Sequence, residues 1–209
     1  MCGRYRIEDR IIDESYHIIS ILTLTEETGR HKNRDGDGNG NGDGNGSRDV
    51  FPSDTAPVIV NDNSEPAIRR IKWGIRGFRK GQLIINARSE SVMEKPMFRN
   101  GILHSRLVVP SAGFYEWNGE KEKNTFVRPD GRGLYMAGFS VGDGEDERFT
   151  ILTTAANRSV EPVHERMPLV LEENEIADWL FDENKAVRML EKVPAVLERI
   201  TEYEQLSMF

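Results

Sequence analysis

The sequence predicts an α+β fold: a single domain built on a curved, barrel-like, mostly antiparallel β-sheet with flanking helices. Three observations in the 209 residues lead there. Short β-branched and aromatic runs recur between residues 56 and 156, separated by Gly, Asp and Pro. The turns between these runs are short, which suits antiparallel neighbours. Helical spacing of apolar residues is concentrated toward the two ends of the chain.

Taken in order, "IEDRIIDESYHIISILTL" (7–24) places Ile7, Ile11, Ile12, Ile18, Ile19 and Leu22 near helical spacing and predicts the first helix. "DGDGNGNGDGNG" (35–46) has glycine at every second position and cannot bury apolar surface. A flexible insert at about 33–49 is expected within a domain that otherwise spans 1–209. The insert also matches the opening of a calcium loop, Asp35-x-Asp37-x-Asn39-Gly40, but Gly46 stands where the bidentate glutamate belongs. A surface insert is therefore favoured over a cation site. "APVIVN", "AIRRIKWG", "QLIIN", "RLVVP", "GFYEWN", "NTFVRP", "GLYMAGFSV" and "RFTILTTAA" read as strands. "RSESVMEKPM" (88–97) predicts a short helix stopped by Pro96. "EENEIADWLF" and "NKAVRMLEKV" predict two closing helices.

Composition narrows the classes of function. With 37% hydrophobic and 30% charged residues the chain is of the soluble globular type. No apolar run approaches the roughly 18 residues of a membrane span, and the amino terminus lacks the pattern of a signal sequence. One cysteine excludes an internal disulfide and a cysteine zinc site, and the four histidines show no ligand spacing. No metal and no cofactor is expected. A monomer in a reducing, cytoplasmic compartment is expected. The net charge of −7 works against a nucleic-acid partner, but it is unevenly spread. Basic residues gather in Arg4–Arg6, Arg69–Lys80, Arg88, Arg158 and Arg166, which leaves room for a local basic groove.

The only cysteine is Cys2, directly after the initiator methionine. Methionine aminopeptidases remove Met before a small side chain, and a mature chain beginning at Cys2 carries an α-amine and a thiol on one residue. Such an amine, with a reference pKa of about 7.7–8.0, attacks an aldehyde to give an imine. The thiol then closes on the same carbon as a five-membered thiazolidine. Three other segments carry candidate chemistry. "LIINARSE" ends an apolar strand with Asn86 and Arg88, two apart and so on one face. "SAGFYEW" sets Glu116 in an aromatic strand, where a carboxylate is either solvent-facing or buried with a raised pKa suited to proton transfer. "VEPVHERMP" places His164 and Arg166 on a Pro-bracketed loop after a strand.

Together, Cys2-Gly3-Arg4-Tyr5, Ala56-Pro57, Trp73-Gly74, Ile85-Asn86-Ala87-Arg88-Ser89-Glu90, Gly113-Phe114-Tyr115-Glu116-Trp117 and His164-Glu165-Arg166-Met167-Pro168 resemble the SRAP family of abasic-site-processing proteins, in family order from Cys2 to about Leu180. The resemblance implies the SRAP fold and a covalent thiazolidine cross-link to the ring-opened aldehyde of an abasic site. The expected partner is single-stranded or junction DNA, in the DNA damage (SOS) response. By the same resemblance Cys2 is the nucleophile, Asn86 positions its amine or the sugar, and Glu116 shuttles protons. His164 serves the sugar oxygen, and Arg4, Arg88 and Arg166 grip phosphates. Pro57 and Trp73 line the DNA channel, with a core position for Trp73 the equal alternative. Family members usually carry Pro and Trp after the Trp-Gly pair. Here the stretch reads "IRGFRKGQ", and Phe78 is its one aromatic. Two other readings compete: a thiol (auto)peptidase pairing Cys2 with His164, and a non-covalent single-strand-binding module.

Overall fold

The computed structural model describes residues 2–26 and 46–201. The fold is α+β, with sheets of mostly antiparallel strands and a few helices. The chain enters as β1 (Tyr5–Glu8) and turns directly into α1 (Asp9–Glu26). The helix expected from Ile7 therefore begins two residues later. Residues 5–8 form the middle of a sheet instead, pairing with both β2 (Ser47–Val50) and, further on, β9 (Gly113–Trp117). In α1 the face bearing Ile11, Ser15 and Ile18 is buried, and the Ser15 hydroxyl donates to the Ile11 carbonyl at 2.7 Å. The insert's expected end is corrected by β2, which takes in Ser47–Val50. The calcium-loop reading falls on residues 35–46, of which only Gly46 is described.

β3 (Thr55–Asp62) and β4 (Glu65–Trp73) form a long hairpin, followed by the small hairpin of β5 (Ile75–Arg76) and β6 (Leu83–Ile84). After β7 (Asn86–Arg88) comes a 3₁₀ turn at Ser89–Glu94. Pro96 then opens α2 (Pro96–His104) rather than only ending a helix, because the missing N–H of proline costs nothing at the first helical position. β8 (Arg106–Ser111), β9, β10 (Lys123–Val127), β11 (Leu134–Val141) and β12 (Arg148–Ala155) complete the predicted strands. The sequence did not foretell β13 (Arg166–Pro168), β14 (Val170–Leu171) or β15 (Glu198–Thr201). α3 (Ile176–Phe181) and α4 (Glu183–Met189) are the closing helices.

Strand pairing runs β12–β4–β3–β8–β11 and returns from β11 to β12, so the large sheet closes on itself. Among the described residues, only β12 pairs in parallel, with β4 and with β7. A second sheet, ordered β15–β10–β9–β1–β2, lies beside this barrel. Period-two alternation divides the barrel strands between two cores. Val58, Trp73, Leu107, Val109 and Met136 share one cluster with Tyr5, Phe114 and Phe126 of the second sheet. Ile59, Val108, Tyr135 and Ala137 face the opposite way, against Phe98, Ile102 and Trp179 from the helices. Both faces are buried, which is why "RLVVP" and "GLYMAGF" read as continuous apolar runs. Arg106 is buried at the helical layer, where its guanidinium donates to the carbonyls of Trp179, Ile102, Leu103 and Leu180.

Candidate active site

β1 is laid along β9 in the register Tyr5↔Phe114 and Arg6↔Gly113, and the Tyr115 amide donates to the Arg4 carbonyl at 3.1 Å. That register brings the residues before β1 to the end of β9 that carries Glu116. Gly113 serves the close approach of β9 to β10 on its other side, since a Cβ there would lie 2.8 Å from the Phe126 carbonyl oxygen. Cys2 is 1% exposed, packed in the core cluster that holds Tyr5 and Trp73. Its Sγ donates toward the Arg4 carbonyl at 3.6 Å. Burial, together with the Glu116 carboxylate, pushes the thiol far above its ordinary pKa, so Cys2 is a neutral thiol at pH 7.

Glu116 shares a strand face with Phe114 and is 3% exposed, which settles the choice between a solvent-facing and a buried carboxylate. Burial raises its pKa above the usual carboxylate range, while the His164 imidazole works in the opposite direction. Cys2, Glu116 and His164 thus form one electrostatic cluster.

Asn86 opens β7, parallel to β12 in the register Asn86↔Ile151 and Arg88↔Thr153. Its Nδ2 donates to the Cys2 carbonyl at 2.8 Å, across 84 positions of sequence. Ala87 is buried between a half-buried Asn86 and an exposed Arg88, as two residues on one face require. Asn86 and Arg88 line a cleft of about 540 Å³ together with Phe78, Ile84, Lys95, Met97 and Phe98. Among the described residues no ion pair ties up Arg88.

His164 lies just before β13, half-buried, and its Nδ1 accepts a hydrogen bond from the Arg166 amide at 2.9 Å. A backbone N–H can only donate, so this contact calls for a bare Nδ1, while the Arg166 carbonyl 3.2 Å from the same nitrogen calls for a protonated one. Where the amide contact holds, the neutral ring carries its proton on Nε2.

Three expected DNA contacts need correction. Trp73 is fully buried, stacked on Phe149 and edge-on to Tyr5, with its indole N–H bonded to the Ile85 carbonyl at 2.9 Å. It belongs to the core and presents no face to a base. Pro57 is buried in β3 and borders a different cleft, of about 290 Å³, shared with Ile7, Ile12, Arg48 and Arg70. Arg166 is not a loop residue: it opens β13 and is buried, its guanidinium gripped bidentately by Glu90 at 2.6 and 2.8 Å and by the Thr153 carbonyl at 2.6 Å. A fork so engaged does not stand open to a phosphate.

The other three are Arg88 (already placed at the cleft beside Asn86), Phe78 and Arg4. Phe78 is 97% exposed at the tip of the β5–β6 hairpin, where Gly77 and Gln82 close the turn. Gly74, at φ +105°, supplies the left-handed turn that sends Trp73 inward and the hairpin outward. Beyond Phe78 lies a second cleft of about 520 Å³, with Arg76, Arg79, Lys80 and Arg148 on its walls. Arg4 is half-buried, with its guanidinium 4.5 Å from the Phe51 ring centroid, 5.3 Å from that of Trp117 and 3.6 Å from Asp49. Phe51 and Trp117, both exposed, were not singled out from the sequence. Trp117 was signalled by its place beside Glu116, whereas nothing local marks Phe51.

The family model for SOS response associated peptidase (SRAP) matches residues 1–207. The chain is 29% identical over 164 residues to the abasic site processing protein YoqW of Bacillus subtilis (strain 168), covering 66% of this chain and 68% of that protein. It is 35% identical over 108 residues to the abasic site processing protein YedK of Escherichia coli (strain K12), 48% of each chain. Among solved structures, a phage-related protein of Bordetella bronchiseptica superposes with a TM-score of 0.68 at 19% identity, over 96% of this chain and 93% of that one. That likeness speaks for the fold.

Proposed function

Since the chain belongs to the SOS response associated peptidase (SRAP) family, we propose that it processes abasic sites in DNA by joining the amine and thiol of a mature Cys2 to the ring-opened sugar aldehyde. The observation that carries this reading is the Asn86 Nδ2 bond to the Cys2 carbonyl at 2.8 Å, which fixes residue 2 beside a buried carboxyl of raised pKa. That is where an aldehyde must meet both the amine and a proton carrier.

The chemistry follows from the cluster. Glu116 takes the proton of the anomeric hydroxyl as the sugar opens and passes it to the departing ring oxygen, to which His164 Nε2–H donates a hydrogen bond. The Cys2 amine adds to the aldehyde carbon, and loss of one water gives the imine. The thiol then adds across the C=N bond: a C–S bond forms and the thiol proton ends on nitrogen. The sum is aminothiol plus aldehyde giving thiazolidine plus water. Asn86 holds residue 2 in place throughout, so the reacting atoms approach in one orientation.

A thiol peptidase is disfavoured, because it needs a thiolate, and burial and Glu116 hold the Cys2 thiol protonated. Arg88 and the exposed Phe78 flank the cleft at Asn86 and supply a phosphate contact and a stacking face for single-stranded or junction DNA. The test is a denaturing gel of the protein with a single-stranded oligonucleotide bearing one abasic site. A heat- and detergent-stable band is expected for wild type and none for Cys2→Ala. A stable band in the Cys2→Ala protein would remove Cys2 from the chemistry.

A further inference from the structure

We propose that Glu90 is a positioning residue for His164, acting through Arg166; this deepens the proposed reaction and rests on His164 taking part in it. Glu90 sits in the 3₁₀ turn after β7, on the segment that delivers Asn86. Its two carboxylate oxygens accept from Nη1 and Nη2 of Arg166 at 2.6 and 2.8 Å, the fork-to-carboxylate geometry that fixes direction as well as distance. Arg166 Nη2 also donates to the Thr153 carbonyl at 2.6 Å, on β12, the strand that both β7 and β13 pair with. The side chain of Arg166 is thereby held from two sides, and it is buried.

The backbone of that same residue holds the imidazole. The Arg166 amide donates to His164 Nδ1 at 2.9 Å, and the Arg166 carbonyl lies 3.2 Å from the same nitrogen. Those two backbone groups ask for opposite tautomers: the amide requires a bare Nδ1, the carbonyl a protonated one. A small rotation of the peptides flanking Arg166 decides which contact wins. The Arg166 side chain, clamped by Glu90, fixes that rotation in favour of the amide and keeps the proton on Nε2, where it can reach the sugar oxygen. Glu90 also couples the two halves of the site, since one end of the clamp is two residues past Arg88 and the other two residues past His164.

Glu90 is half-exposed and lies outside the core, so its neutral isostere tests the link without emptying a packed site. The measurement is ¹⁵N NMR of the histidine ring nitrogens in wild type and Glu90→Gln, at a pH well above the reference imidazole value of about 6.5. It is run beside single-turnover adduct formation and the affinity for an oligonucleotide carrying a non-reactive tetrahydrofuran abasic analogue. Wild type is expected to show the Nε2–H form of His164, and Glu90→Gln a mixture of both tautomers. Adduct formation is expected to slow about tenfold, less than the roughly hundredfold or more of losing a positioned catalytic group outright, with affinity for the analogue changed less than about twofold. Identical His164 ring spectra in the two proteins overturn the proposal. So does a loss of affinity matching the loss of rate, since that assigns Glu90 to binding instead. If wild type forms no adduct, the proposed reaction fails while the ring spectra still decide the role of Glu90.

Discussion

Trp73 and Phe78 stand five positions apart and live in opposite environments. Trp73 ends β4, fully buried, with an aromatic ring on two sides and its only polar side-chain atom bonded to Ile85. Phe78 tips the β5–β6 hairpin and is 97% exposed, among Arg76, Arg79 and Lys80. Gly74 makes the turn between them. The same contrast divides the molecule: a closed barrel and its neighbouring sheet hold Cys2, Asn86 and Glu116 in a buried nook, and a basic, aromatic hairpin stands out beside its mouth. Chemistry that depends on a raised carboxyl pKa needs the first environment. Gripping a strand of phosphates and bases needs the second.

That division can be broken at several points. The largest effect is expected from the buried carboxyl. Glu116→Gln is expected to slow adduct formation about a hundredfold or more, the usual weight of a positioned acid–base group, with affinity for a tetrahydrofuran analogue nearly unchanged; single-turnover kinetics and a binding titration read the two quantities. Equal losses in both would place Glu116 in the grip instead.

Next come the two aromatics, as a crossed pair. Trp73→Ala is expected to cost about 3–5 kcal/mol of folding stability in a urea melt. Phe78→Ala is expected to leave the melt unchanged and to weaken binding of single-stranded DNA by about 1–3 kcal/mol, the worth of one stacked base. A stable Trp73→Ala protein with weakened DNA binding would return Trp73 to the channel.

A smaller effect concerns pH. The Glu116 carboxyl stays protonated to higher pH in the folded protein than in the unfolded chain. Between those two values the folded state binds more protons, so stability falls as pH rises from about 4.3 through the folded pKa. Glu116→Gln lacks this fall. Chemical denaturation of both proteins from pH 4 to pH 8 is expected to show the wild type losing ground to the variant as pH rises, and parallel curves would contradict a raised pKa. The smallest effect belongs to the rim: Arg88→Ala is expected to reduce the salt slope of DNA binding by about one ion, uniformly across sequences.

Much of this architecture could be read in the residues. The central strands are apolar on both faces, and short Gly, Asp and Pro turns between them signal antiparallel neighbours. Glu116 was conspicuous as a carboxylate inside "GFYEW", and Cys2 by its place in the chain. What escaped has physical causes. The isoleucines at 7, 11, 12 and 18 fall at helical spacing, so the four residues of β1 were hidden; pairing with β2 and β9 overrides that local signal. Pro96 reads equally well as a helix stop and as a first helical residue, and only the packing of Phe98 and Ile102 against the barrel decides. Arg166 on a Pro-bracketed segment looked available, because its partner Glu90 lies 76 positions away and no local pattern announces the pair. The tandem aromatics around Arg4 come from segments far apart in the chain and are joined only by sheet pairing.

In the proposed reaction Cys2 acts through both its amine and its thiol. This is tested most directly by the intact mass of the species formed with an abasic-site oligonucleotide, without borohydride. Protein lacking Met1 is compared with protein in which Met1 is retained. A mass equal to protein plus DNA less one water, stable to denaturant and absent when Met1 is retained, is expected. An adduct seen only after borohydride trapping, or formed equally well with Met1 in place, would contradict it.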